Sequence, residues 1–224
     1  MNILAIDSAG EVLSAALAVG EDVWYMETDS GGRHSELLIE CADSLCKSAG
    51  ISPHDLGMAL CMKGPGSFTG LRIGYSTVKG LALALGIPFT AIPTLDCLAF
   101  PLSVWPGLVL PSMDAKKGCF FAALYRAGER LTRYLDASPE TLAEEALKAG
   151  FSGQEPLVLT GSGAKMLFSA LADHLPSEYM MIDPCFKRGR AQELLKIAGN
   201  GILNAVNDSG LLYLRKSDAE LNRG

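Results

Sequence analysis

The sequence predicts an α/β protein of two lobes, the second repeating the plan of the first. Three observations carry this prediction. Short apolar or alanine-rich runs alternate with stretches of helical periodicity. The same order of elements occurs twice within 224 residues. In each half the first strand pattern ends on an aspartate, Asp7 and then Asp114.

The elements follow in order. Residues 2–7 and 12–19 have buried-strand patterns and 23–27 a third, with Gly20-Glu21-Asp22 as the turn between the last two. Residues 34–49 read as an amphipathic helix. Leu37, Leu38, Cys41, Ala42, Leu45 and Ala49 share one face; Glu36, Glu40, Asp43, Ser44 and Lys47 share the other. Gly50 stands where such a helix stops. A strand at 58–62 leads into a glycine-rich loop, then a helix at 71–85 ending at Gly86, then a strand at 88–92.

From Leu108 the pattern restarts with a strand at 108–113. Laying Asp114 over Asp7 without gaps sets SAALAVGEDVW (14–24) against FAALYRAGERL (121–131). Ala15-Ala16-Leu17 then coincides with Ala122-Ala123-Leu124. A helix at 139–149, a strand at 157–159 and the loop Gly161-Ser162-Gly163 come next. A helix at 164–174, a strand at 179–182 and a helix at 191–206 complete the half. Pro101 and Pro106 interrupt regular structure within 100–107, which puts the lobes at 1–103 and 104–224. This order of strands and helices, written twice, is the plan of the actin-like (sugar kinase/Hsp70/actin) architecture of two duplicated ribonuclease-H-like lobes.

Composition narrows the function. About half the residues are hydrophobic (49%), enough for a sizeable core, and the net charge is −6. An acidic chain with no basic run longer than Lys116-Lys117 or Lys187-Arg188 is a poor solitary binder of nucleic acid, which needs clustered Lys and Arg. The six cysteines (Cys41, Cys46, Cys61, Cys97, Cys119, Cys185) show no CxxC pairing and read as reduced thiols of a cytoplasmic protein. No secretory leader is expected, because Asp7 interrupts the first apolar run. The longest apolar stretch, 80–95, is cut by Pro88 and Pro93 and is shorter than the ~20 residues of a membrane span. The three histidines, His34, His54 and His174, lie far apart without an H-x-x-x-H, so no metal motif is present. His34 reads as a helix-start residue.

The densest motif is KGPGSFTGLRIG, residues 63–74. It lacks the lysine after the second glycine that a Walker A loop requires. It also misplaces the third glycine of the dinucleotide fingerprint and follows three strand patterns rather than one. Phosphate loops of the actin-like architecture have the form D-x-G-x-[ST]. Here DSAGE (7–11) and DAKKG (114–118) keep only the aspartate. Asp7 and Asp114 are therefore the remaining candidates for cofactor contact, and no cofactor or metal is expected. The glycine loop reads as a rigid turn: Pro65 fixes φ, the glycines open backbone conformations closed to other residues, and Ser67 or Thr69 caps the helix. The helix that follows has two charges, Arg72 and Lys79, which form one narrow stripe with Tyr75 and Ser76. A surface helix keeps a wider polar face. Coverage on two sides is expected, by its own sheet and by a neighbouring helix or another protein.

GPGSFTGLRIG resembles the hallmark string of the TsaB (YeaZ) family, and the resemblance runs nearly end to end. ILAIDSAGEVLSAAL (3–17), RHSELL (33–38), LALALGIPFTAIPTLDCLA (81–99), VLPSMDAKKGCFFAALY (109–125) and LYLRKSDAE (212–220) also fit. Ala9 and Gly10 depart from the hydroxyl or acidic residues common there, and Met62-Lys63 from the usual approach to the loop. The resemblance implies a non-catalytic scaffold and activator in tRNA threonylcarbamoyladenosine biosynthesis, acting beside the anticodon. It pairs with TsaD, the metal-holding catalytic paralogue, and the TsaE ATPase joins them. tRNA is met only through the complex, no membrane is involved, and the isolated chain is a candidate homodimer. By position, the helices that bundle with the partner are those at 34–49 and 71–85. The implied interface is His34, Leu38, Gly64, Pro65, Gly66, Ser67, Phe68, Thr69, Gly70, Arg72, Gly74, Tyr75 and Lys79. Two rival readings are an ATP-dependent enzyme of the actin/sugar-kinase class and a peptidase; the missing phosphate loops disfavour the first, and no nucleophile or zinc motif supports the second.

Overall fold

The computed structural model describes residues 1–29, 31–199 and 210–215. The chain divides into two compact units. The first holds Met1–Cys97 and the described part of Arg188–Leu211; the second holds Leu98–Lys187 and the described residues from Leu212. Each unit carries one sheet.

In the first unit β1 (Asn2–Asp7), β2 (Val12–Val19) and β3 (Asp22–Asp29) form an antiparallel meander. Gly20, at φ 61°, opens the two-residue turn that sets Val19 opposite Asp22. α1 (His34–Ser48) crosses over to β4 (Leu56–Gly64), which lies parallel to β1. α2 (Phe68–Leu85) leads to β5 (Phe89–Pro93), parallel to β4, and α3 (Thr94–Ala99) follows. The strand order is β3-β2-β1-β4-β5. Leu4, Ile6, Leu13, Ala15 and Leu17 form one apolar face under Leu38 and Leu45 of α1 and Val78 of α2.

In the second unit β6 (Leu108–Asp114) pairs with β7 (Phe120–Ala122), and a small hairpin of β8 (Tyr125–Arg126) and β9 (Glu129–Arg130) also joins β6. β10 (Leu135–Ala137), α4 (Pro139–Lys148), β11 (Leu157–Thr160), α5 (Ala164–Leu171) and β12 (Met180–Ile182) follow. The order is β10-β7-β6-β11-β12, the arrangement of the first sheet repeated. Leu108, Leu110, Phe120 and Leu124 pack against Leu142, Ala146, Leu167 and Leu171. Arg215 fastens residues 212–215 here: Nε and Nη2 donate to Asp136 at 2.6 and 2.5 Å, and Nη1 donates to the Ala115 carbonyl at 2.7 Å.

Three features differ from the sequence reading. The boundary expected at 103/104 lies at 97/98, and the chain passes from the second unit to the first at 187/188. α6 (Ala191–Gly199) accordingly packs on β1, β2 and β4; residues 200–206 of the expected helix lie outside the described residues. α2 begins at Phe68, three residues before the expected start, because Ser67 caps it by accepting Gly70 N–H at 3.2 Å. The gap-free overlay also slips. Asp7 pairs with Ser14, but Asp114 pairs with Phe120 rather than Phe121. The second hairpin is one residue shorter, so the Ala-Ala-Leu coincidence sets residues from opposite faces against each other. The duplication rests on element order and strand order.

Candidate partner-docking site

The site is built outward from the turn after β1. Ser67 N–H donates to the Ala9 carbonyl at 2.8 Å, and Ser8 Oγ donates to the Gly70 carbonyl at 2.8 Å. Gly66, Gly70 and Gly74 recur every four residues and face this turn. A Cβ on Gly66 would lie 2.7 Å from the Ala9 carbonyl oxygen; one on Gly70 or Gly74 would overlap the Ser8 carbonyl or Ser8 Oγ. The glycines let the start of α2 press against the Asp7–Ala9 backbone, which a side chain would hold off. Gly64, at φ 106°, turns the chain out of β4.

These contacts enclose the turn after β1, where the sequence offered only the aspartate of a phosphate loop. Asp7 and Ser8 are only 6% and 2% exposed. Both Asp7 oxygens are engaged: Oδ1 accepts Ala9 N–H and Oδ2 accepts Arg190 N–H, each at 2.9 Å. Burial pushes the Asp7 carboxyl above its ordinary range. Asp114 makes the same two-residue turn, its Oδ1 accepting Lys116 N–H at 2.7 Å while Lys116 Nζ donates to Oδ2 at 2.7 Å. That lysine bond holds the Asp114 carboxyl below the usual range. Among the described residues, no three His, Cys, Asp or Glu side chains gather as a metal site requires.

What α2 presents outward is different. Phe68 is 41% exposed, with the Arg72 guanidinium carbon 3.7 Å above its ring. Thr69, Ser76 and Gly80 are exposed along the same face, which ends at Leu83, 73% exposed. Beside it, Tyr75 meets Phe89 edge-on at 5.7 Å, and Lys79 Nζ lies 5.9 Å from both rings. α1 contributes an exposed Ile39 and the acids Glu36, Glu40 and Asp43 to the same helical layer. α2 carries no acid at all.

The sequence-derived candidates thus separate. Ser67, Phe68, Thr69 and Arg72 are on the surface, and Gly66, Tyr75 and Lys79 are half-buried. His34, Leu38, Gly64, Pro65, Gly70 and Gly74 are buried within the unit and shape the surface from beneath. His34 opens α1, as its position in the sequence implies. The sequence reading missed the docking of Arg190 on Asp7 and the inward direction of the glycines. Their four-residue spacing was the available signal for the latter.

A family model described as TsaD, tRNA N6-adenosine threonylcarbamoyltransferase, matches residues 28–175. The Bacillus subtilis protein TsaB, of tRNA threonylcarbamoyladenosine biosynthesis, is 28% identical over 227 residues, spanning 98% of this chain and 96% of that one. The chain belongs to the TsaB (YeaZ) branch of this family. Escherichia coli TsaB is 32% identical over 133 residues, which cover 58% of this chain and 57% of that one. Two Pseudomonas aeruginosa structures share the fold at 23% identity. YeaZ gives a TM-score of 0.76 over 95% of this chain and 99% of its own. A protein described as similar to peptidase YEAZ gives 0.79 over 96% and 99%. The chain thus has the fold of these YeaZ structures, with two α/β units, and among the described residues no helix is long and apolar enough to cross a membrane.

Proposed function

We propose that this chain is a non-catalytic subunit of cytoplasmic tRNA threonylcarbamoyladenosine biosynthesis, docking on a TsaD-like transferase through the outer face of α2. The carrying observation is that face: Phe68 and Arg72 stacked at the helix start, then small or apolar residues as far as Leu83. An exposed aromatic–arginine pair is typical of residues that dominate interface energies. The transferase model matches the stretch containing α1 and α2, so a paralogue on the same frame offers two corresponding helices. A TsaE-like ATPase joins the assembly, and tRNA is gripped through the complex. The enclosed Asp7–Ala9 turn supports this reading over the ATP-dependent enzyme.

Arg72→Glu tests it. Reversing this charge and unstacking Phe68 should weaken pairing by about 1.5–3 kcal/mol, roughly tenfold to a hundredfold in Kd. The variant should keep its circular dichroism and melting point, fail to co-elute with the transferase, and lower threonylcarbamoyladenosine formation in a reconstituted reaction. Pairing as tight as wild type with full modification would rule out this face.

A further inference from the structure

The Asp7–Ala9 turn is fastened from both faces of the first sheet. Leu4 and Ile6 of β1 point toward α1 and α2, so by strand alternation Ala5 and Asp7 point the other way, toward α6. On the α2 side are the two bonds of Ser8 and Ala9, to Gly70 and from Ser67. On the α6 side Asp7 accepts Arg190 N–H, and Ser14 Oγ accepts Ala191 N–H at 3.1 Å. Gly189 completes this clip: its carbonyl accepts Tyr25 O–H at 3.1 Å, and its N–H donates to Glu27 at 3.2 Å. There is no slack in either contact, because a Cβ on Gly70, Gly74 or Gly189 would overlap its neighbour.

We propose that Asp7-Ser8-Ala9 is a mechanical link between the start of α2 and the segment 189–191. Ser8 and Asp7 are its positioning residues. Three consecutive residues with close-packed contacts on both sides move as one body, so loosening either end loosens the other. A partner seated on α2 therefore tightens 189–191; this second half rests on the docking reading above, while the first concerns the lone chain.

Hydrogen–deuterium exchange on the full chain, read by mass spectrometry, tests both. Ser8→Ala removes one bond on the α2 side alone. It should speed exchange about fivefold to tenfold at 67–72 and also at 189–192, with α4 at 139–148 unchanged. Asp7→Asn should do the same from the α6 side. Faster exchange confined to the side that was altered would overturn the link. If Asp7→Asn loses its melting transition, Ser8→Ala alone decides, since its packing is preserved. Adding the transferase should slow exchange at 189–192 several-fold. Binding without that change overturns the second half. Absence of binding overturns the docking reading and leaves the lone-chain result to judge the link.

Discussion

Gly74 shows how one hydrogen atom in place of a methyl group decides a helix position. A Cβ there would collide with Ser8 Oγ, yet would lie 3.3 Å from Ser8 Cβ. Gly74→Ala should therefore destabilise the chain by about 1–3 kcal/mol, the usual range for overpacking. Adding Ser8→Ala should restore part of that loss, and thermal melting of the single and double variants measures the coupling. A double variant no better than Gly74→Ala would mean that the Ser8 hydroxyl is not the obstacle.

Asp7 gives a second test. Burial raises its folded-state pKa above the ordinary 3.8, so its contribution to stability is fully present below that value. The contribution falls as pH rises through the raised pKa. Wild type measured against Asp7→Asn should thus look best at acid pH, lose ground on the way to neutrality, then level off. Denaturant melts from pH 3.5 upward report the sign. A gap that grows with pH would show that the nearby Arg190 charge outweighs burial.

At the level of elements, most of the fold was legible. The first two strands begin and end where the short buried-strand patterns put them, because Asp7 and Gly20 are unambiguous stops. The start of α2 was not. Residues 66–70 hold two glycines, a serine and a threonine, all poor helix formers, and tertiary contact with the β1 turn supplies what propensity lacks. The register of β7 was also hidden, since a one-residue difference in hairpin length leaves no mark in composition. Within the candidate site, the thin charge of α2 was readable and the outer stripe of Arg72 and Ser76 stands as expected. Tyr75 and Lys79 lean instead toward Phe89, a neighbour that no helical wheel includes. Contacts between Asp7 and Arg190 span 183 positions and have no local signature.

For the molecule as a whole, the balance of charge and the closed aspartate turn lead to one expectation. The lone chain should hydrolyse ATP no faster than buffer, and Asp7→Ala or Asp114→Ala should leave that rate where it is. With net charge −6 it should give no saturable tRNA shift at physiological salt. ATP turnover abolished by either substitution would favour the kinase-like reading. A salt-sensitive shift at submicromolar protein would assign tRNA contact to this subunit itself.

The late return of α6 to the first sheet also has a consequence for synthesis. β1, β2 and β4 are translated within the first 64 residues, but the helix that covers their second face follows Arg190. At ~5–20 residues per second, a ribosome needs roughly 5–25 s to go from one to the other. Throughout that interval Asp7 and Ser14 lack the amides of Arg190 and Ala191, and one side of the nascent sheet is bare. The first unit is started first but completed only after residues 98–187 of the second have been made, so a ribosome stalled inside the second unit displays an apolar, half-built sheet to the chaperones and proteases that meet it.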